Sequence, residues 1–177
     1  MRIIGIDPGS NTLGVAVYDV DDFFTIRSIR TYVIDITMYK ESGKYGRLAG
    51  KVYFIRKILM NIFKDGVDAL SLESPFIYST RPAAVIPLSA IKGIVEESAL
   101  NTNRYAYLTS ITPSEVKKSI GVHGNSSEKI DMMYALLDIK EISDELPIKD
   151  LADHEWDAIA IGYDLLNDIR DNPYIVL

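Results

Sequence analysis

Apolar residues in the first part of the chain come in short runs that stop at turns. Residues 2–6, 13–20 and 23–36 read as three strands joined by tight connections, the second at Asp19-Val20-Asp21-Asp22. Strands so closely spaced pair as an antiparallel meander. The period then changes: from Tyr45 to Phe63 the apolar positions Leu48, Val52, Ile55, Leu59 and Phe63 share one helical face, and Lys64-Asp65-Gly66 closes the helix. Asp68 to Leu72 is a continuous apolar run, the mark of a buried strand, and it delivers Glu73 at its end with Pro75 just beyond.

The second half is predominantly helical. Residues 83–100 read as a helix in spite of Pro87, with Leu88, Ile91, Val95 and Ala99 on one side. Arg104 to Thr109 reads as a further strand. Thr112-Pro113-Ser114-Glu115 has the form of a helix start and predicts a short helix to about Ile120. Gly121 and Gly124 break the chain, Ser126 or Ser127 caps a helix running to about Leu137, and Leu151 to Ile169 forms the last one. This order predicts an α/β fold: a five-stranded mixed sheet, three antiparallel N-terminal strands plus two more, flanked by helices.

The 177 residues are most simply one domain, 1–177, long enough to bury a substantial core, and 47% hydrophobic with 25% charged residues places the chain among soluble globular proteins. With no apolar run long enough to span a bilayer and no basic leader before the first strand, the expected location is the cytoplasm, away from membranes. The chain has no cysteine, which excludes disulfides and thiolate zinc sites. A metal would rest on carboxylates and on His123 or His154, a donor set suited to magnesium or manganese.

The net charge of −6 argues at first against nucleic acid, yet charge is unevenly distributed. Lys40, Lys44, Arg47, Lys51, Arg56, Lys57 and Lys64 face only Glu41 in their segment, whereas acids dominate from Asp138 to Asp171. Solvated helix faces explain much of both runs.

The chemistry centres on IIGIDPGSNTLGVAV at residues 3–17, where a strand carries Asp7 into a Pro8-Gly9 turn. A carboxylate at the end of a buried strand needs a cation or hydrogen-bond donors. Asp before Pro-Gly is also a good hairpin residue. Beyond that ordinary role, the turn suits either a phosphate cradle of the sugar-kinase and actin-like ATPase kind or a metal-binding acid of a nuclease. The ATPase plan closes two domains around its nucleotide, and this chain has room for one. Glu73 repeats the Asp7 pattern. In His154-Glu155-Trp156-Asp157, His154 and Asp157 share a helical face, Asp153 is within reach of it, and Ala158, Ala160 and Gly162 let the helix lie close to a sheet. Carboxylates converging without a cation repel one another, so a divalent ion is the simpler account of Asp7, Glu73 and Asp157.

IGIDPGSNTLGVAV, SLESPF at 71–76, ITPSEVKKSIGVHGNSSEK at 111–129 and HEWDAIAIG at 154–162 resemble, in order and spacing, the RuvC family of Holliday junction resolvases, in a divergent, bacteriophage-type form. The resemblance covers essentially the whole chain and implies an RNase H-like fold. It implies that Asp7, Glu73 and Asp157 are catalytic metal-binding acids, with His154 where relatives carry aspartate or histidine and Asp153 in reserve. Imidazole suits manganese better than magnesium, so His154 is either a ligand or a guide for the attacking water.

The implied chemistry uses two Mg2+ ions per active site, with Mn2+ as a substitute, about 3.5–4 Å apart, Asp7 bridging them, Glu73 on the first and His154 with Asp157 on the second. The reaction would hydrolyse a phosphodiester to leave 5′-phosphate and 3′-hydroxyl ends. By the same resemblance Phe76 stacks on a base at the junction crossover, and Lys117, Lys118 and Lys129 contact DNA. Burial of Phe76 in the core is the competing reading. The glycines near Lys129 lack the glycine-lysine-serine ending of a P-loop. The implied partners are branched DNA, above all four-way junctions, and a second copy of the chain, since the junction's two-fold symmetry calls for a homodimer. Residues 83–100 are the expected dimer contact, although Leu88, Ile91 and Val95 suit an ordinary core equally. A broader debranching nuclease acting on forks and flaps, and a branched-DNA-binding protein without cleavage, are the alternatives.

Overall fold

Five strands form the middle layer of the computed structural model: β1 (Arg2–Pro8), β2 (Thr12–Val20), β3 (Ile26–Asp35), β4 (Ala69–Glu73) and β5 (Tyr107–Ile111). Their order is β3-β2-β1-β4-β5, with β1 antiparallel to β2, β2 antiparallel to β3, and β4 parallel to both β1 and β5. The expected five-stranded mixed sheet is therefore present. The described residues are 1–9, 11–39, 47–74, 82–122, 129–146 and 151–176, with only the backbone described at 38, 47, 82–86 and 129.

Helices α1 (Arg47–Ile62), α2 (Pro82–Thr102), α3 (Pro113–Ser119), α4 (Lys129–Asp138), α5 (Lys140–Ser143) and α6 (Asp153–Asp171) complete the fold, with single 3-10 turns at Ile36–Met38 and Pro173–Ile175. Alternation along each strand assigns the two faces. Ile4 and Ile6, Val15 and Val17, and Leu70 and Leu72 pack with Ile55, Leu59 and Phe63 of the α1 region and with Ile91, Val95 and Ala99 of α2. On the other face, Ile3, Ala16, Tyr18 and Ala69 pack with Trp156, Ala158, Ile159 and Leu165 of α6, and with residues of α3 and α4. Ile91 and Val95 thus belong to the protomer's own core, the ordinary-core alternative of the sequence reading.

By the same period Gly5 and Asp7 share the face of Ile3, Gly14 shares that of Ala16, and Ser71 and Glu73 share that of Ala69. This face carries small residues where α6 crosses it. A β-carbon on Gly5 would stand 2.1 Å from the Ala158 carbonyl oxygen and 2.4 Å from the Gly162 nitrogen. A helix lying this close brings its first turn against the C-terminal ends of β1 and β4, where Asp7 and Glu73 sit.

Element boundaries differ from the sequence expectation at several places. The β2–β3 turn falls at 21–25 rather than 19–22. Asp19 stays in the ladder opposite Arg2 and Ser28, held by Arg2 and Arg30 at 2.9 Å each. Asp21 closes the turn instead, its carboxylate accepting from the Phe23 and Thr25 backbone N–H groups at 2.9 Å each. β5 begins at Tyr107, not Arg104, because residues 103–106 form a turn: Asn103 Oδ1 accepts from the Tyr105 N–H and the Ala106 N–H donates to the Asn103 carbonyl. α6 starts at Asp153 rather than Leu151, and α5, a single short turn, carries too few residues for a periodic signal. At the C-terminus Ile175 and Val176 pack against the α6-side core while Tyr174 is exposed, so the apolar tail docks on its own domain as far as Val176. The expected helix caps Ser126 and Ser127 lie outside the described residues.

Candidate active site

Asp7 is buried at the C-terminal end of the central strand β1, a position that would be unfavourable for a carboxylate without partners. Its Oδ2 meets Nδ1 of His154 at 2.5 Å. One ligand atom each from Asp7, His154 and Asp157 lie within 4.8 Å of one another. His154 and Asp157 reach this point together because three residues of helix return the chain to the same face.

Glu73 ends β4 beside them. Burial pushes its carboxyl up to about 7, and the charges of Asp7 and Asp157 push in the same direction, opposed by Lys117. This shift places three carboxylates, from β1, β4 and α6, in one electrostatic neighbourhood. Asp153 is exposed and lies outside the group formed by Asp7, His154 and Asp157.

Two glycines keep α6 in position here. A β-carbon on Gly14 would stand 2.0 Å from the His154 carbonyl oxygen, and one on Gly9 would stand 2.4 Å from the Thr12 carbonyl oxygen and 3.2 Å from Cε1 of His154. Gly9 therefore serves close approach, in addition to following Pro8 in the turn.

The donor set fits a divalent cation. Two carboxylates and an imidazole at ligand spacing, with a third carboxylate held partly protonated by burial and by like charge, form a site whose repulsion a cation would relieve. Carboxylate oxygens suit magnesium or manganese, and the imidazole nitrogen favours the latter.

The basic residues divide. Lys117, near the C-terminal end of α3, acts electrostatically on Glu73, and Lys118 acts on Glu115 of the same helix. α3 is set by a capping box in which Thr112 and Glu115 exchange hydrogen bonds. Lys129 opens α4, but its side chain, like all of Phe76, is outside the described residues. In the basic segment Arg56 is committed to Glu97 through two hydrogen bonds of 3.0 and 3.1 Å and does not offer a free charge to a polyanion. Sequence reasoning missed Thr31, whose hydroxyl donates to Glu155 Oε1 at 2.6 Å. No local pattern marks a contact that spans 124 residues.

Comparison with known proteins identifies the family. The family model described as crossover junction endodeoxyribonuclease RuvC matches residues 3–163. The RuvC of Wolinella succinogenes is 31% identical over 154 residues, covering 85% of this chain and 88% of that protein. That of Thermosipho melanesiensis is 31% identical over 173 residues, covering 96% and 99%. Among solved structures, T. thermophilus RuvC in complex with Holliday junction substrate superposes with a TM-score of 0.73 at 18% identity, over 97% of this chain and 96% of that one. The yeast mitochondrial Holliday junction resolvase Ydc2 gives 0.65 at 16% identity, over 99% and 84%. These structures share the RNase H-like sheet, and the matched length and identities of the sequence relatives show that the chain belongs to the RuvC family of crossover junction endodeoxyribonucleases.

Proposed function

We propose that this protein resolves four-way DNA junctions by metal-dependent phosphodiester hydrolysis, nicking opposing strands to leave 5′-phosphate and 3′-hydroxyl ends. The observation that carries the reading is the convergence of Asp7, His154 and Asp157 at ligand spacing, with Glu73 in their field, on a chain of the RuvC family. Asp7, Glu73, His154 and Asp157 would together hold two Mg2+ ions, Mn2+ being an adequate substitute. Bound there, divalent cations supply Lewis-acid polarisation of the phosphate and nucleophilic water at neutral pH.

The residues of the chain do the rest. Asp7 fixes the site on the stiff centre of the sheet, and its contact with Nδ1 orients the His154 ring. Glu73, which keeps its proton to about pH 7 in the absence of a cation, gives it up when positive charge arrives. Lys117 places a positive charge beside these acids, where a phosphodiester must approach, Lys118 follows it on α3, and Lys129 is the further proposed DNA contact. Phe76, three residues beyond Glu73, is the proposed stacking residue at the crossover. A junction with two-fold symmetry requires two such sites, so the active species is a homodimer.

End-labelled four-way, Y-shaped and linear DNA incubated with Mg2+ or Mn2+, beside an Asp7→Asn variant, tests the reading. Cleavage of the four-way junction by the wild type alone supports it. Absence of cleavage, or equal cleavage by Asp7→Asn, overturns it, and equal cutting of forks would favour the debranching activity.

A further inference from the structure

α6 begins without the usual oxygen-bearing cap, since Ala152 stands at that position. Glu155 supplies only the reciprocal half of a capping box, a carboxylate for the Ala152 N–H. Its Oε2 accepts from the Ala152 backbone N–H at 2.8 Å, and its Oε1 accepts from the Thr31 hydroxyl at 2.6 Å. Thr31 lies on the edge strand β3, opposite Ala16 and therefore on the α6 face of the sheet. One carboxylate thus ties the first turn of the helix both to its own start and to a strand remote in sequence.

The body of α6 is anchored separately. Tyr18 donates its hydroxyl proton to the Ile159 carbonyl at 2.6 Å, Ala158 and Gly162 pack on Gly5, and Trp156 and everything from Ala158 to Gly162 is buried. Ahead of Trp156 the turn is held by contacts that include the Gly9 and Gly14 approaches, the packing of Leu151 on the core, the Asp7–His154 pair and the Thr31–Glu155–Ala152 bridge. Helix ends fray when their backbone donors lose partners. His154 is the residue immediately before Glu155, so its ring direction follows the twist of this turn.

We propose that Thr31 and Glu155 are positioning residues: their hydrogen bond holds the first turn of α6 so that the His154 imidazole meets Asp7 in the geometry that accepts a cation. The inference rests on the reading of Asp7, His154 and Asp157 as a cation site. Both act through the backbone of the turn, Glu155 through the Ala152 N–H and Thr31 through Glu155.

Thr31→Val keeps the shape and removes the hydroxyl, and Thr31→Ser restores it. The imidazole resonances of metal-free protein, with His154 identified by their loss in His154→Gln, report the ring's hydrogen bond. Calorimetric titration with Mn2+ reports the cation site. Thr31→Val is expected to lose or broaden the His154 signal and to weaken Mn2+ binding about tenfold, the lower end of what outer-sphere partners contribute. Thr31→Ser is expected to restore both, with the melting temperature of each variant within a few degrees of wild type. If Thr31→Val does not fold, Glu155→Ala carries the test, because it removes both oxygens that serve Thr31 and Ala152. Wild-type resonance and affinity in the removing variant, or failure of Thr31→Ser to restore them, overturns the proposal. A wild type that binds no Mn2+ refutes the cation-site reading instead, and the imidazole signal then decides the positioning role alone.

Discussion

The His154 carbonyl oxygen lies 2.0 Å from where a β-carbon on Gly14 would stand, and the His154 carbonyl carbon lies at 2.7 Å. Nothing at Gly14 is flexible enough to yield, since both contacts are backbone. Gly14→Ala must therefore push the first turn of α6 off the sheet. Displacement of reacting groups by about 1 Å costs on the order of 100-fold in rate, so junction cleavage should fall by about that factor. Overpacking should cost about 1–3 kcal/mol of stability at the same time. Cleavage kinetics with a thermal melt checks both, and wild-type kcat in a folded Gly14→Ala protein would contradict the placement of α6.

Gly93 provides the contrast. It sits on the exposed side of α2, and a β-carbon there would meet no heavy atom within 4 Å. Gly93→Ala should raise stability by about 0.5–1 kcal/mol through helix propensity, leaving cleavage unchanged. A chemical denaturation curve measures the gain, and a loss would show that the α2 face is covered.

Two carboxyls make the metal-free protein sensitive to pH. Glu73 is pushed up to about 7, chiefly by burial, and Asp164 to about 6, again chiefly by burial, with Asp168 and Glu115 adding to it and Ser119 opposing it. Each group binds its proton more tightly folded than unfolded, so the folded state carries more protons between the ordinary carboxyl range and pH 7. Stability should therefore fall as pH rises from about 4 to 7 through these groups. Asp164→Asn, which keeps a partner for Ser119, should remove part of that slope and gain about 1 kcal/mol above pH 6, allowing for partial solvation. Adding Mn2+ should raise the melting temperature more at pH 8 than at pH 6, because protons compete for Glu73. Melting scans across pH, with and without Mn2+, check the sign, and a flat profile would contradict it.

Binding to junction DNA should be strongly salt-dependent despite the net charge of −6, because phosphate contacts through lysines such as Lys117 and Lys118 release counterions. With the catalytic step blocked by Asp7→Asn, affinity should fall at least about tenfold between about 50 and 200 mM salt. Equal affinity across that range would count against phosphate-led binding.

Much of this architecture is visible in local pattern. The apolar runs that end at Asp7 and Glu73 identify the strands and the acids they carry, and the spacing of His154 and Asp157 puts both on the face that meets them. Local pattern fails where long-range contacts decide. Asp19 reads as a turn residue, yet Arg2 and Arg30 keep it in the ladder. Arg104 to Ala106 look extended, yet the Asn103 side chain and carbonyl bend them. Glu155 reads as one more solvated acid, and only folding reveals the partner, Thr31, that gives it a role. Ile91 and Val95 illustrate the limit of periodicity: an apolar stripe shows that a face is covered, not whether its cover is the same chain or a second one.

The central claim is paired cleavage of a four-way junction at a site built on Asp7. A supercoiled plasmid bearing an extruded cruciform tests it most directly, since two nicks made on opposing strands within one encounter release linear plasmid, whereas independent single nicks relax it to open circles. With Mg2+ or Mn2+ the wild type should yield linear product from the start, without prior accumulation of open circles, and Asp7→Asn should yield neither. Open circles alone, or linear product undiminished in Asp7→Asn, would contradict the account.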